Sequence, residues 1–112
     1  MIKDGIYKVT FGCLGQVLGE GIVLIRNGHL NGGDVFYLYQ GVIEAHDNRF
    51  SAILSLTQHD QRGHSIFGEL GDFQLKLSGQ RVRNGVFNAV GEVIGLPLPQ
   101  VDMTVKFIKQ LL

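Results

Sequence analysis

Apolar residues recur at every second position along most of this chain, and no window long enough for a helix shows helical spacing, so the chain reads as β-strands. Val101, Met103, Val105 and Phe107 fall on one face while Asp102, Thr104 and Lys106 fall on the other. The same alternation sets Phe73, Leu75 and Leu77 against Gln74, Lys76 and Ser78. It also sets Phe50, Ala52, Leu54 and Leu56 against Ser51, Ser55 and Thr57. A slip of one residue would reverse every one of these faces, so the pairing register is strongly specified.

Between the alternating runs stand dipeptides suited to two-residue turns: Asn27-Gly28, Asp47-Asn48 and Asn84-Gly85, each able to place residues at positive φ. Consecutive strands should therefore be antiparallel neighbours. Strands are expected at Gly5 to Phe11, Leu18 to Arg26, His29 to Leu30, Val35 to His46, Phe50 to His59, Phe73 to Ser78, Val86 to Val93 and Val101 to Lys109.

A meander of about eight strands either packs as two layers or closes, and closure removes the exposed edges. The expectation is an all-β fold, a small closed antiparallel up-and-down barrel, built from residues 1–112 as a single domain. Gly19, Gly21 and Gly41 lie inside expected strands, where bending at barrel corners is their ordinary use. The pattern lapses from Gln61 to Gly71, with a single helical turn or lid open for Ser65 to Leu70. Gly95-Leu96-Pro97-Leu98-Pro99 lacks the amides of a central strand and reads as a connection.

Ten basic and ten acidic residues cancel, giving a pI near 6.9, so no global positive field draws the chain to nucleic acid or to an anionic membrane. Lys76, Arg81 and Arg83 form a local basic run that reads as a solvated hairpin end. Cys13 is the only cysteine, which excludes an intrachain disulfide and fits a reducing, cytoplasmic setting. The opening residues lack a basic start leading into an apolar run. The longest apolar stretches fall far short of a bilayer span, so neither export nor membrane insertion is expected.

Catalytic signatures are sparse. His59-Asp60 followed by His64 offers nitrogen and oxygen ligands, but they sit where the strand pattern dissolves, and a solvated loop is the better reading than a metal site. No serine occupies a Gly-x-Ser-x-Gly elbow, Cys13 stands in a Gly-Cys-Leu-Gly turn, and Gly19-Glu20-Gly21 lacks the rest of a dinucleotide fingerprint. The chain is expected to be a non-enzyme without a cofactor. Glu44, His46 and Asp47 surround the Asp47-Asn48 turn, where contact with a partner is more plausible than acid-base chemistry.

Phe36 and Leu38 share one face of their strand and Tyr37 and Tyr39 the other, so both sides carry apolar area and a second subunit is the simplest cover. Should the interior hold an apolar small molecule or lipid, its lining is expected from Phe36, Leu38, Leu54, Leu56, Phe73, Leu75, Met103 and Phe107.

Lys3-Asp4-Gly5-Ile6-Tyr7, Gly19-Glu20-Gly21-Ile22, Asn27-Gly28, Gly32-Gly33-Asp34 and Tyr39-Gln40-Gly41-Val42 resemble, in order and spacing, the GrlR family of negative regulators of type III secretion. A weaker echo returns at Lys106-Phe107-Ile108. The resemblance implies a lipocalin-like barrel that forms a homodimer in the bacterial cytoplasm and sequesters a transcriptional activator through protein contacts. In that family an acidic Glu-Asp-Glu-Asp stretch follows the Tyr-Gln-Gly-Val strand and is tied to regulation. The corresponding stretch here is Glu44-Ala45-His46-Asp47, with two carboxylates.

Overall fold

Two-residue turns set the register from which the sheet is built. In the computed structural model, which describes residues 2–62 and 71–112, Asn27 and Gly28 sit at φ 51° and 77°, and Leu14 and Gly15 at 52° and 82°. Positive φ at both central positions gives a turn whose twist matches that of the flanking strands. Asp47 at 57° and Gly85 at 77° serve the other two turns foreseen from the dipeptides.

The turn expected at Gly12-Cys13-Leu14-Gly15 is centred on Leu14 and Gly15, although leucine is a poor residue for the left-handed region. Leu14 is 86% exposed, so its side chain draws nothing from burial. Leu14→Asn should therefore stabilise the fold by about 0.5–1 kcal/mol, read as a higher urea midpoint with an unchanged slope.

Eight strands run in sequence order: β1 (Gly5–Cys13), β2 (Gln16–Arg26), β3 (His29–Gly33), β4 (Tyr37–His46), β5 (Arg49–Gln58), β6 (Phe73–Arg83), β7 (Val86–Val93) and β8 (Val101–Lys109). Each pairs antiparallel with the next, and β1 pairs with β8 from Ile6↔Lys109 to Gly12↔Asp102, which closes the barrel. The lower end carries the N-terminal segment and the β2–β3, β4–β5 and β6–β7 turns. The upper end carries the β1–β2 turn and the longer β3–β4, β5–β6 and β7–β8 connections.

The all-β closed barrel and its antiparallel meander are as expected, with shifts at the ends of elements. β3 continues to Gly33, because Gly32 and Gly33 pair with Tyr39 and Leu38. β6 continues past Ser78 to Arg83, through Gly79 opposite Phe50 and a register shift between Arg81 and Arg83. β4 starts at Tyr37, two residues later than expected, because Asp34 turns the chain before it. The helical turn considered for Ser65 to Leu70 lies outside the described residues.

Inward positions carry the alternating apolar set. Tyr7, Val9, Val23, Ile25, Tyr39, Leu54, Leu75 and Val101 are each below 2% exposed, and they belong to one contiguous core cluster. Large side chains fit because glycines stand opposite them. A Cβ on Gly21 would come 2.8 Å from Cε2 of Tyr39, and one on Gly79 would overlap the ring of Phe50. Such pairing of small and large residues fills a narrow barrel to native density. Edge-to-face contacts of Phe11 with Tyr39 at 5.4 Å and of Phe50 with Phe87 at 6.0 Å add directional packing.

Leu38 was expected among cavity-lining residues, and it points the other way. It is 47% exposed on the outer wall, whereas Tyr37 and Tyr39 are 4% and 1% exposed inside. Both faces of this segment are apolar, so alternation alone did not choose between them. The room left by Gly21, whose added Cβ would meet the Tyr39 ring, favours the tyrosine face. Phe36 lies in the turn before β4, half-buried against the core.

Candidate functional site

At the upper rim the β3–β4 turn is organised by one carboxyl group. Oδ1 of Asp34 accepts hydrogen bonds from the backbone amides of Phe36 at 2.9 Å and Tyr37 at 2.8 Å, an Asx turn that carries the chain from β3 into β4. Oδ2 accepts the hydroxyl of Tyr39. His59, on the next connection, donates its amide to the Phe36 carbonyl at 2.9 Å and places Nε2 3.1 Å from the Asp34 carbonyl oxygen.

Burial, then the Asp34 hydrogen bond, then the Asp34 charge push the Tyr39 hydroxyl far above its ordinary value. It is thus a fixed neutral donor and not a group that exchanges protons near neutral pH. With both Asp34 oxygens engaged, the cluster clamps the loop. The Asp34–Tyr39 pair was legible in the sequence only as part of Gly32-Gly33-Asp34 and Tyr39-Gln40. An Asp two and three residues ahead of aromatic amides was the available signal.

Nearby, Asp60 and Arg62 form a two-pronged contact, with Nη2 of Arg62 2.6 Å from Oδ2 of Asp60. The guanidinium holds the Asp60 carboxyl below its usual range. Both belong to an exposed loop, where such pairs contribute little.

The residues nominated as a partner contact lie at the opposite, lower end. His46 and Asp47 form the tip of the β4–β5 hairpin with their side chains 95% and 87% exposed, and Nε2 of His46 is 3.6 Å from Oδ2 of Asp47. Arg81 reaches across from β6 to Oδ1 of Asn48 at 2.8 Å, so the tip is tethered to the barrel wall. Glu44 stands apart from both, on the outer wall of β4, where it lines a broad depression.

The nominated interior residues divide into two groups. Leu54, Leu56, Leu75 and Met103 are 1–6% exposed and belong to the core cluster. Phe36, Phe73 and Phe107 are half-buried and pack against that cluster from the barrel ends. Phe73 meets Tyr37 at 5.9 Å, and Phe107 meets Tyr7 at 5.4 Å.

A broad concavity lies on the outside of the barrel. A depression of about 690 Å3 runs over the outer wall of β3 to β6, with His29, Gln40, Val42, Glu44, Ile53 and Lys76 among its lining residues. Register explains why apolar groups gather there. Val42 pairs with Ile53, and Leu38 lies two steps up the same strand; Ile22 and Leu24 face outward from β2, across β3. These five side chains are 45–55% exposed. Sequence patterning missed them as a group, because they lie on strands separated by up to thirty-one positions (Ile22 to Ile53) and only sheet pairing aligns them.

Elsewhere the outer wall is charged at mid-strand, as in the Lys8–Glu20 pair at 3.0 Å, where a membrane barrel presents an apolar band. No protein-family model matches the chain, and no curated protein is significantly similar to it, so the resemblance to the type III secretion regulators rests on its sequence motifs alone.

Proposed function

We propose that this chain is a regulatory protein-binding barrel that forms a homodimer and works by sequestering a protein partner, as its resemblance to the negative regulators of type III secretion implies. The observation that carries the reading is the half-exposed outward set Ile22, Leu24, Leu38, Val42 and Ile53 on β2, β4 and β5, an aliphatic field of which Val42 and Ile53 line the depression on β3 to β6. Clustered apolar surface of this kind marks an interaction face, whereas scattered exposed residues need no explanation.

A second copy is the occupant that fits this face best. A closed barrel has no strand edge to extend, so association has to use the walls. Arg26, Lys76 and Glu44 stand around the field, and a two-fold arrangement can set a carboxylate of one copy against a cation of the other. The β4–β5 tip, with His46 and Asp47, projects beyond the field and is the surface left for a different partner, of which a transcriptional activator is the kind the resemblance implies.

Light scattering coupled to gel filtration tests the dimer. The wild type should elute with twice the chain mass at micromolar concentration, and Val42→Lys with Ile53→Lys should weaken association at least about a hundredfold, giving a monomer of unchanged β-sheet circular dichroism. A wild-type chain that is monomeric at high micromolar concentration, or a double variant that remains dimeric, would refute the reading.

A further inference from the structure

The lower end of the barrel brings together cations that are far apart in the chain. Lys3 ahead of β1, Arg83 at the end of β6 and Lys106 on β8 line one depression of about 380 Å3, together with Asn84, Gly85 and Phe107. No carboxylate lines it, and among the described residues none lies within 4.0 Å of these three side chains. Asp4, next to Lys3, lines the neighbouring depression, which Lys3 also borders, and its carboxylate is engaged there by the Asn27 amide at 2.8 Å.

Two details show that the charge is concentrated here and left uncompensated. Lys106 is paired across the sheet with Lys8, an opposition that like charges disfavour. Lys8 is neutralised by Glu20 at 3.0 Å, and Lys106 has no counterpart to that bond. Lys3 is held in place: its ammonium lies 3.9 Å from the centre of the Phe107 ring, and its carbonyl accepts the Tyr7 hydroxyl at 2.6 Å. A positioned cation costs a ligand less ordering than a free one.

We propose that this cleft binds the phosphate group of a small phosphorylated molecule. Three cations suit a group carrying nearly two negative charges better than they suit a single carboxylate. The Arg83 guanidinium supplies a fork for two oxygens, and the lysines supply mobile point charges. A concave space of this volume, walled by one aromatic ring, is on the scale of a small-molecule site. Binding relieves the repulsion among Lys3, Arg83 and Lys106, so the anion should also raise the stability of the fold.

Inorganic pyrophosphate titrated into nitrogen-15-labelled protein is the test, followed by amide shifts. Saturable shifts are expected at Lys3, at residues 83–86 and at Lys106 and Phe107. Arg83→Gln with Lys106→Gln should weaken the affinity at least about tenfold. Arg62→Gln, on the upper β5–β6 connection, should change it by less than about twofold. Shifts distributed over Arg26, Arg62 and Lys76 as strongly as over the cleft would overturn the proposal. So would an affinity that the double variant leaves unchanged while its spectrum stays folded.

Discussion

Gly32→Ala is expected to destabilise the barrel by about 3 kcal/mol or more, the upper range for overpacking a core. A Cβ at this position would overlap the carbonyl oxygen of Ile22 and come 2.6 Å from Cα of Val23 and 2.9 Å from the carbonyl carbon of Ile22. All three atoms are backbone, so no rotamer change relieves the clash. β2 and β3 have to separate where Val23 pairs with Gly32, and the closed sheet passes that displacement on to its neighbours. Gly19→Ala is the control, since nothing lies within 4 Å of its added Cβ, and it should stay within about 0.5 kcal/mol of wild type. Urea melts of the two variants measure the contrast, and equal midpoints would show that the strands have more freedom than this packing implies.

Tyr39→Phe should cost about 2 kcal/mol near neutral pH, because it removes a hydrogen bond to the Asp34 carboxyl at a site that water reaches poorly. The ring remains to cover Gly21 and to meet Phe11, which separates this loss from one of packing. The pH dependence identifies the hydroxyl. Folding raises its pKa, so above about pH 10 the unfolded chain ionises while the folded chain does not, and stability falls as pH rises. Wild type therefore loses this contribution through the alkaline range and Tyr39→Phe has none to lose, so the gap between them should narrow. Tyr7, also raised by burial and then by Asp4, contributes an alkaline loss common to both. A gap that stays constant from about pH 8 to about pH 11 would rule out the buried hydroxyl as its source.

The clamp and the aliphatic field constrain different parts of the molecule. Asp34 and Tyr39 tie the upper turn to the core, so the outer wall beside it is presented on a rigid frame. Rigid walls lose little freedom on docking, which favours a contact built on strands over one built on loops. The exposed β4–β5 tip is tied to β6 through Asn48 and Arg81, by the side chain at 2.8 Å and by the Arg81 amide on the Asn48 carbonyl at 2.7 Å. Glu44, grouped with His46 and Asp47 by proximity in the chain, lines the depression on the outer wall, whereas those two stand at the tip.

Strand identity, order and most inward faces were written in local pattern. Val101, Met103 and Val105 are buried and Asp102, Thr104 and Lys106 are exposed, as alternation demands, because a strand with one wet face has one low-energy register. Asn27-Gly28 likewise determines a hairpin without reference to the rest of the chain. Where both faces of a strand are apolar, local pattern is degenerate. The choice of the tyrosine face over Leu38 is favoured by the space that Gly21, on another strand, leaves for the Tyr39 ring. The gathering of Lys3, Arg83 and Lys106 in a chain of zero net charge also required closure, since β1 meets β8 only when the barrel is complete. The sequence by itself thus determined what alternation and turn chemistry encode within one or two strands. The tertiary structure decided which face is buried when both qualify, and which charges and aliphatic groups share a surface, because those depend on contacts between residues that the chain keeps far apart.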